Sequence, residues 1–285
     1  MPRCETSGTG RPSPLPALAA RPLAARLTRA GRHEGLAAHV VRYRHRGWNG
    51  AAAHPVADAG WALEEVVRRY GDVPVCLIGI GLGARAALRV ADHPAVEGVM
   101  GIAPWFPSLR PAAAPGARNA WRERAAGAPA EEALAAPHAA ESARPSAEEG
   151  GEEATGPAAE PEFAAPPAGE DEDDDVRRLL GRRVLLVHGT NDRRASPDAS
   201  YRYAQRAKKV NPDVCRFEVH ADGHRLRQYR SEVQALAVDF TLGCLFARPF
   251  ARPLQDAFAA PPPLGLAMPL ASGFGGSLDE GGGRF

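Results

Sequence analysis

VCLIGIGLGARAALRV, residues 75–90, is the stretch of sequence that decides the fold. Its first four residues, 75–78, are uninterruptedly apolar, as in a strand buried on both faces. Three glycines at alternate positions follow, and residues 84–90 then have the composition of a helix. A strand, a tight glycine turn and a helix in direct succession predict one unit of an α/β protein.

The glycine turn has the frame of a nucleophile elbow, G-x-S-x-G, in which a strained turn exposes a central serine. Gly81 occupies the serine position. Glycine adopts positive φ freely, but it has no Oγ, so no covalent acyl-enzyme can form there. A glycine turn also serves many α/β proteins with no catalytic role, and these residues alone leave that alternative open.

The same glycines also fit the dinucleotide fingerprint G-x-G-x-x-G/A, with Gly79, Gly81 and Ala84. That fingerprint requires an acidic residue about 20 positions on, at the end of the next strand. The only acid in the next apolar run, 96–103, is Glu97 at its start. Nucleotide binding is therefore kept as an alternative function, and we expect no cofactor and no metal ion.

Two further apolar runs each lead into a loop with a polar side chain. VLLVHGTND, residues 184–192, ends at Asp192, and VHADGH, residues 219–224, ends at His224. Each has a structural alternative, because an aspartate before Ser-Pro often caps a helix and a histidine after glycine is often a loop residue. The order is glycine turn, acid, histidine, which is the order of the catalytic groups in α/β-hydrolases.

These motifs make the chain resemble the α/β-hydrolase superfamily, and most of all its small bacterial esterase- or lipase-like members. RHRGWNG at 44–50 and APW at 103–105 also resemble family segments. The resemblance covers 15–106 and 180–246, which we expect to form a single three-layer α/β/α sandwich with a mostly parallel sheet.

The resemblance implies roles for four residues. Asp192 would orient His224, His224 would be the general base, and Gly81 would be a degenerate nucleophile position. The backbone amide of Leu82 would be an oxyanion donor. Asp222 is a weaker candidate for the acid, and His188 and His220 are expected to be structural.

The loss of the nucleophile predicts an impaired enzyme, or a homologue that binds an ester-like small molecule or a partner. An active hydrolase or lyase that uses the His-Asp dyad with water is an alternative. Relatives have an early strand whose loop supplies a second oxyanion amide, but residues 1–14 contain no apolar run. We therefore expect this strand to be missing or truncated, with 7–10 (SGTG) as a remnant of its loop.

Composition divides the rest of the 285 residues. Residues 107–179 are rich in Ala, Pro and Glu, and hold 16 of the 34 acidic residues, so we expect a disordered acidic insertion. Disordered termini are expected at 1–14 and 247–285. Outside residues 107–175 the chain carries 30 Lys and Arg against 18 Asp and Glu, so the insertion is expected to contact this basic body or a basic partner.

Other partners and the compartment follow from what the sequence lacks. The arginines are not interleaved with aromatic residues, so nucleic acid is not expected as a partner. The four cysteines have no metal or C-x-x-C spacing, and Cys76 and Cys215 fall within apolar runs. No apolar stretch is long enough for a membrane span, and the protein is expected to be cytoplasmic.

Apolar periodicity predicts alternating strands and helices, and hence parallel strand pairing. Helices are predicted over 15–30, 55–70, 82–92, 197–210 and 226–246. Strands are predicted over 39–43, 75–79, 96–103, 183–188 and 214–219.

Overall fold

The computed structural model describes residues 15–107 and 175–275. The expected insertion lies outside these ranges from 108 to 174, as do the expected remnant at 7–10 and residues 276–285. In chain order, the elements are α1 (Leu15–Ala30), α2 (His54–Tyr70), β1 (Val75–Ile80), α3 (Leu82–Arg89), β2 (Val96–Ile102), β3 (Arg183–Gly189), α4 (Pro197–Val210), β4 (Val214–Val219), α5 (Arg230–Phe246), α6 (Arg252–Ala259) and β5 (Met268–Pro269).

The five strands form one sheet in the order β1-β2-β3-β4-β5, and all pairs are parallel. Because all the strands are parallel, the loops after β1, β3 and β4 all lie at the same edge of the sheet. That edge is where ligands bind in open parallel sheets. Among the strands of residues 15–107 and 175–275, β1 pairs only with β2 and forms one border of the sheet.

Apolar side chains alternate between the two faces of the sheet and form two separate cores. In β3, Val184 and Leu186 belong to one core, with residues from α2, α3 and α4. Leu185 and Val187 belong to the other, with residues from α5 and α6. The sheet therefore lies between two helical layers, and the predicted three-layer architecture is confirmed.

Residues 39–43 do not form the predicted strand. The amide of Arg44 and its Nε instead donate to the carboxylate of Asp58 on α2, at 2.8 and 2.5 Å. The Tyr43 side chain reaches over the glycine turn, with its hydroxyl 3.0 Å from where a Cβ of Gly83 would lie. The end of the segment is thus attached to α2 and the turn, whereas Val40 and Val41, the apolar residues that predicted a strand, are exposed.

Residues 247–275 differ from the expected disordered terminus. They form α6, a short 3-10 turn and β5, which extends the sheet next to β4. Leu254 is fully buried in the second core. The buried Arg216 of β4 donates to the Leu266 carbonyl at 2.9 Å and thereby holds this segment against the sheet. The many prolines and glycines predicted disorder, although the segment contains a short helix with two buried apolar residues.

Within the described residues, no helix is long and apolar enough to cross a bilayer.

Gly79 allows α3 to approach β1, and its replacement tests this contact. A Cβ at Gly79 would lie against the carbonyl group of Gly83 and 2.5 Å from the Cα of Ala84, all backbone atoms that cannot rotate away. We expect Gly79→Ala to lower the free energy of unfolding by at least ~2 kcal/mol, as overpacking does. Chemical denaturation measures this loss.

Gly60→Ala in α2 is the matched control. A Cβ at Gly60 meets nothing within 4 Å, so alanine should raise stability by up to about 1 kcal/mol through its helix propensity. Equal effects of the two substitutions would contradict the close approach of α3 to β1.

Candidate functional site

The glycine turn has a positive-φ backbone at its central residue, a conformation that glycine adopts without strain. Gly81 separates β1 from α3 and has φ 59° and ψ −118°. Its amide donates to the Ile102 carbonyl at 2.9 Å, and its carbonyl accepts from the Trp105 amide at 3.2 Å. These bonds fix the turn to the carboxyl end of β2, so its conformation does not depend on a side chain at residue 81.

The predicted acid and histidine are hydrogen-bonded to each other. Asp192 follows β3, His224 follows β4, and Nδ1 of His224 lies 2.8 Å from Oδ2 of Asp192. The Asp192 side chain is fully buried, whereas the His224 side chain is 23% exposed. The carboxylate can therefore act only on its protein partners, while the imidazole can meet a ligand.

The other side of the imidazole lies against the glycine turn. A Cβ built on Gly81 would be 3.7 Å from Nε2 and 3.8 Å from Cε1 of His224, and among the described residues beyond its chain neighbours it would meet no other atom within 4 Å. The structure thus brings Gly81, His224 and Asp192 together, in the order in which a nucleophile, a base and its orienting acid stand in a triad.

Asp192 is held as a carboxylate by its neighbours. Burial alone would raise its pKa, but hydrogen bonds from His188 and His224 and from the amides of Ala195 and Arg194 outweigh burial and hold the pKa well below its usual range. The two amides bind Oδ1 at 3.0 and 2.7 Å. Oδ2 remains for the two imidazoles.

His188 is the second imidazole on this carboxylate, and its contact with Asp192 was not predicted. Its Nε2 lies 3.3 Å from Asp192 Oδ2 and 3.3 Å from the Ala195 carbonyl, and the side chain is fully buried. Both partners are acceptors, so Nε2 carries the proton. Burial lowers the pKa of His188, with a smaller opposing contribution from Asp192. A neutral His188 positions the Asp192 carboxylate by a contact on its buried side. This agrees with the structural role expected for His188.

The carboxylate also selects the tautomer of His224. An ionised Asp192 accepts from Nδ1–H, so a neutral His224 has its lone pair on Nε2, the atom closest to Gly81. A base with this arrangement can take a proton from a group at the turn.

Leu82, the expected oxyanion donor, is the first residue of α3. Its amide is one of the four at a helix start that have no acceptor within the helix. No hydrogen bond from this amide occurs within 15–107 and 175–275. The expected second donor loop at 7–10 lies outside the described residues.

Asp222 is occupied by the loop that carries His224. Its Oδ1 accepts from the amide of Gly223 at 2.8 Å, and its Oδ2 accepts from the amides of Gln228 and Tyr229. It therefore shapes the turn before α5, and Asp192 is the acid that contacts His224. The loop also explains why the helix predicted from residue 226 begins only at Arg230.

The position of Glu97 in β2 argues against the alternative that the glycine turn binds a nucleotide. It is the second residue of β2, whereas the glycine turn follows the last residue of β1. In parallel strands these two positions are at opposite edges of the sheet, so Glu97 cannot bind a ribose at the turn.

A buried arginine beside the turn was not singled out from the sequence. Arg85 of α3 is 3% exposed, and its guanidinium carbon lies 4.1 Å from the ring centre of Trp48 and 5.6 Å from that of Trp105. This cation–π contact joins the RHRGWNG and APW segments to the helix after the turn. The sequence signal for this contact was the presence of a tryptophan in each of these two short segments.

A shallow cavity of about 420 Å³, largely open to solvent, lies beside His224. It is lined by His224, Asp222, Gly223 and three arginines, Arg194, Arg225 and Arg227.

No protein-family model matches the chain, and no curated protein matches it either. Solved structures with a similar fold include a predicted CIB-like hydrolase from Thermoplasma acidophilum, with 14% identity, a TM-score of 0.36, and coverage of 65% of this chain and 59% of that one. An esterase from Pyrococcus furiosus has 12% identity, a TM-score of 0.45 and coverage of 78% and 76%. A protein of unknown function from Agrobacterium tumefaciens, described as an α/β-hydrolase candidate, has 14% identity, a TM-score of 0.44 and coverage of 87% and 91%.

The depressed pKa of Asp192 predicts a pH-dependent contribution to stability. A carboxyl group whose folded pKa lies below its unfolded value, about 3.9, stabilises the fold above that value and loses this contribution as the pH falls. We expect Asp192→Asn to cost about 2 kcal/mol at pH 7, and the difference from wild type to shrink below about pH 4.

Urea denaturation at pH 7, 5 and 3 measures the effect. Asp72→Asn, at an exposed residue before β1, is the control and should change stability by less than about 0.5 kcal/mol at each pH. A constant cost of Asp192→Asn across the range would contradict the ionised carboxylate.

Proposed function

We propose that the chain is a nucleophile-deficient member of the α/β-hydrolase superfamily, of carboxylic ester hydrolase ancestry. In this proposal it keeps the Asp192–His224 dyad and binds an ester-like ligand at the glycine turn without forming an acyl-enzyme. The superfamily assignment rests on the parallel sheet, the order of the three loops and the geometry at their meeting point.

One observation carries the proposal: Gly81 keeps the backbone of an elbow next to a base that has no hydroxyl to deprotonate. An ordinary glycine turn has no reason to place its Cβ position 3.7 Å from the Nε2 of a histidine whose Nδ1 is bound by a buried carboxylate. The site is therefore that of a serine hydrolase in the turn, the base and the acid, without the Oγ.

The absence of a serine Oγ at residue 81 limits the ester chemistry that the site can perform. Loss of the nucleophile costs about 10⁶ in turnover in a serine hydrolase, and loss of one oxyanion donor costs about 10²–10³. With Leu82 as the one named donor, ester turnover through an acyl-enzyme is closed to this chain, and binding is the function that the site retains.

Gly81→Ser tests the proposal by restoring the missing group. Serine Oγ extends from the Cβ position that lies 3.7 Å from Nε2, within reach of a hydrogen bond to the base. We expect a fluorophosphonate probe to label this variant stoichiometrically at the introduced serine, as seen by intact mass and peptide mapping, and to leave wild type unlabelled.

Two controls separate chemistry from conformation. Gly81→Ala has the same Cβ at φ 59°, with a strain of about 1–2 kcal/mol, but no Oγ, so it should stay unlabelled. Gly81→Ser with His224→Ala should label at least 100-fold more slowly, because the base is gone. A folded Gly81→Ser variant that does not label, or a double variant that labels equally fast, would overturn the proposal.

The tautomer of His224 supports a second candidate function. Its Nε2 lone pair lies toward Gly81, which offers no hydroxyl, so the dyad could activate a water molecule directly on a reactive ester or remove an acidic proton from a substrate.

Hydrolysis of p-nitrophenyl acetate by wild type distinguishes the two candidates. A dyad that activates water predicts linear product release without an initial burst, and at least a tenfold loss of rate in His224→Ala. Equal rates for wild type and His224→Ala would show that the dyad does not act on water, and would leave ligand binding as the function.

A further inference from the structure

The cavity beside His224 concentrates positive charge. Three of its six lining residues are arginines: Arg194 follows Asp192, and Arg225 and Arg227 follow His224. All three side chains belong to residues that are more than a third exposed to solvent. The two loops that hold Asp192 and His224 therefore also bring three arginines to one shallow cavity.

The acids near the cavity do not neutralise these guanidinium groups. Asp222 lines the cavity, but its two oxygens accept from three backbone amides of its own loop. Asp192 lies below His224, and its oxygens accept from two amides and two imidazoles. Among the described residues, no ion pair involves Arg194, Arg225 or Arg227.

Elsewhere on the described surface, several arginines have carboxylate partners. Arg68 and Arg69 both bind Glu65, and Arg178 binds Asp92 at 2.5 Å. The three arginines at the cavity thus form a local excess of positive charge beside His224, which attracts anions. Guanidinium groups bind carboxylates and phosphates through paired N–H donors, which makes an oxyanion the matching ligand.

We propose that this cavity binds a small anionic compound through a phosphoryl or carboxylate group, held by Arg194, Arg225 and Arg227. The inference deepens the proposed function and rests on it for one point only, that the ligand also reaches His224. The cavity borders the imidazole directly, so an anionic group in it places the rest of the molecule toward the glycine turn. The ligand class is then an ester that bears an acidic group.

The size of the site favours a small molecule over a nucleic acid. The three cations are confined to two loops beside one shallow cavity of about 420 Å³, an area that matches one small anionic group. Nucleic acid binding uses a row of cations that follows a backbone. The acidic run at 170–175 of the chain itself, EDEDDD, is the competing occupant that an experiment must separate.

Titration of the full-length wild-type chain with pyrophosphate and with citrate tests the proposal. Calorimetry gives the Kd, and the ¹H–¹⁵N signals of the His224 side chain report whether the anion binds beside it. We expect saturable one-site binding of at least one of the two probes with a shift of the His224 signals, and the stronger probe tells phosphoryl from carboxylate recognition. Glycerol, a neutral polyol, should give no shift.

A triple variant, Arg194→Gln, Arg225→Gln and Arg227→Gln, removes the three cations. We expect the Kd for the bound probe to weaken at least tenfold. The matched control is Arg21→Gln, Arg29→Gln and Arg32→Gln, which removes the same charge from exposed residues of α1 and the turn after it. This control should keep the Kd within twofold. Equal weakening in both variants would reveal non-specific attraction and overturn the proposed site.

A third variant neutralises the acidic run at 170–174 with Gln and Asn. The Kd of the probe should stay within twofold. A Kd that tightens at least tenfold would identify the chain's own acidic run as the occupant and overturn the assignment to a small molecule.

The Gly81→Ser background separates this inference from the proposed function. If Gly81→Ser is labelled by fluorophosphonate, we expect it to hydrolyse p-nitrophenyl hemisuccinate at least tenfold faster than the neutral p-nitrophenyl valerate, by kcat/KM, and to lose that preference in the triple variant. If Gly81→Ser is labelled but shows neither a preference for the anionic ester nor anion binding, the anionic site alone is contradicted. If the anion binds but Gly81→Ser is not labelled, the proposed function alone is contradicted.

Discussion

The rest of the structure depends on the close approach of two backbones at the glycine turn. Because Gly79 has no Cβ, the first turn of α3 lies directly on the end of β1. This contact and the hydrogen bonds of Gly81 with Ile102 of β2 and with Trp105 after β2 hold the turn at a positive φ. The parallel sheet then places the loops after β3 and β4 beside this turn, because neighbouring parallel strands end at one edge.

The orientation of His224 is fixed without any side chain at residue 81. Asp192 is fixed by two amides and by the buried His188, and none of these contacts involves Gly81. His224 is fixed in turn by Asp192. The orientation of the imidazole therefore does not depend on a side chain at residue 81, since it is set by the loops after β3 and β4.

Buried and exposed residues of the same two loops have different roles. The groups that orient the imidazole, Asp192 and His188, are buried, where a charge needs several partners. The arginines that follow Asp192 and His224 in sequence are exposed, where a guanidinium keeps its hydration until an anion replaces it. A short loop can thus carry a positioning group on its inner side and a recognition group on its outer side.

The sequence by itself determined the helices α1 to α5, the strands β1 to β4 and the order of the site. Continuous apolar runs specify buried parallel strands, the three glycines specify the turn, and the placement of Asp192 and His224 after strands specifies one shared edge. It did not predict the packing of 39–43, the order of 247–275 or the Arg85 contact with two tryptophans. Those features depend on partners remote in the chain, such as Asp58 for Arg44 and Leu266 for Arg216. Only the tertiary structure decided that His224 lies against Gly81 and that three arginines share one cavity, because distances across loops follow from how the helices pack on the sheet.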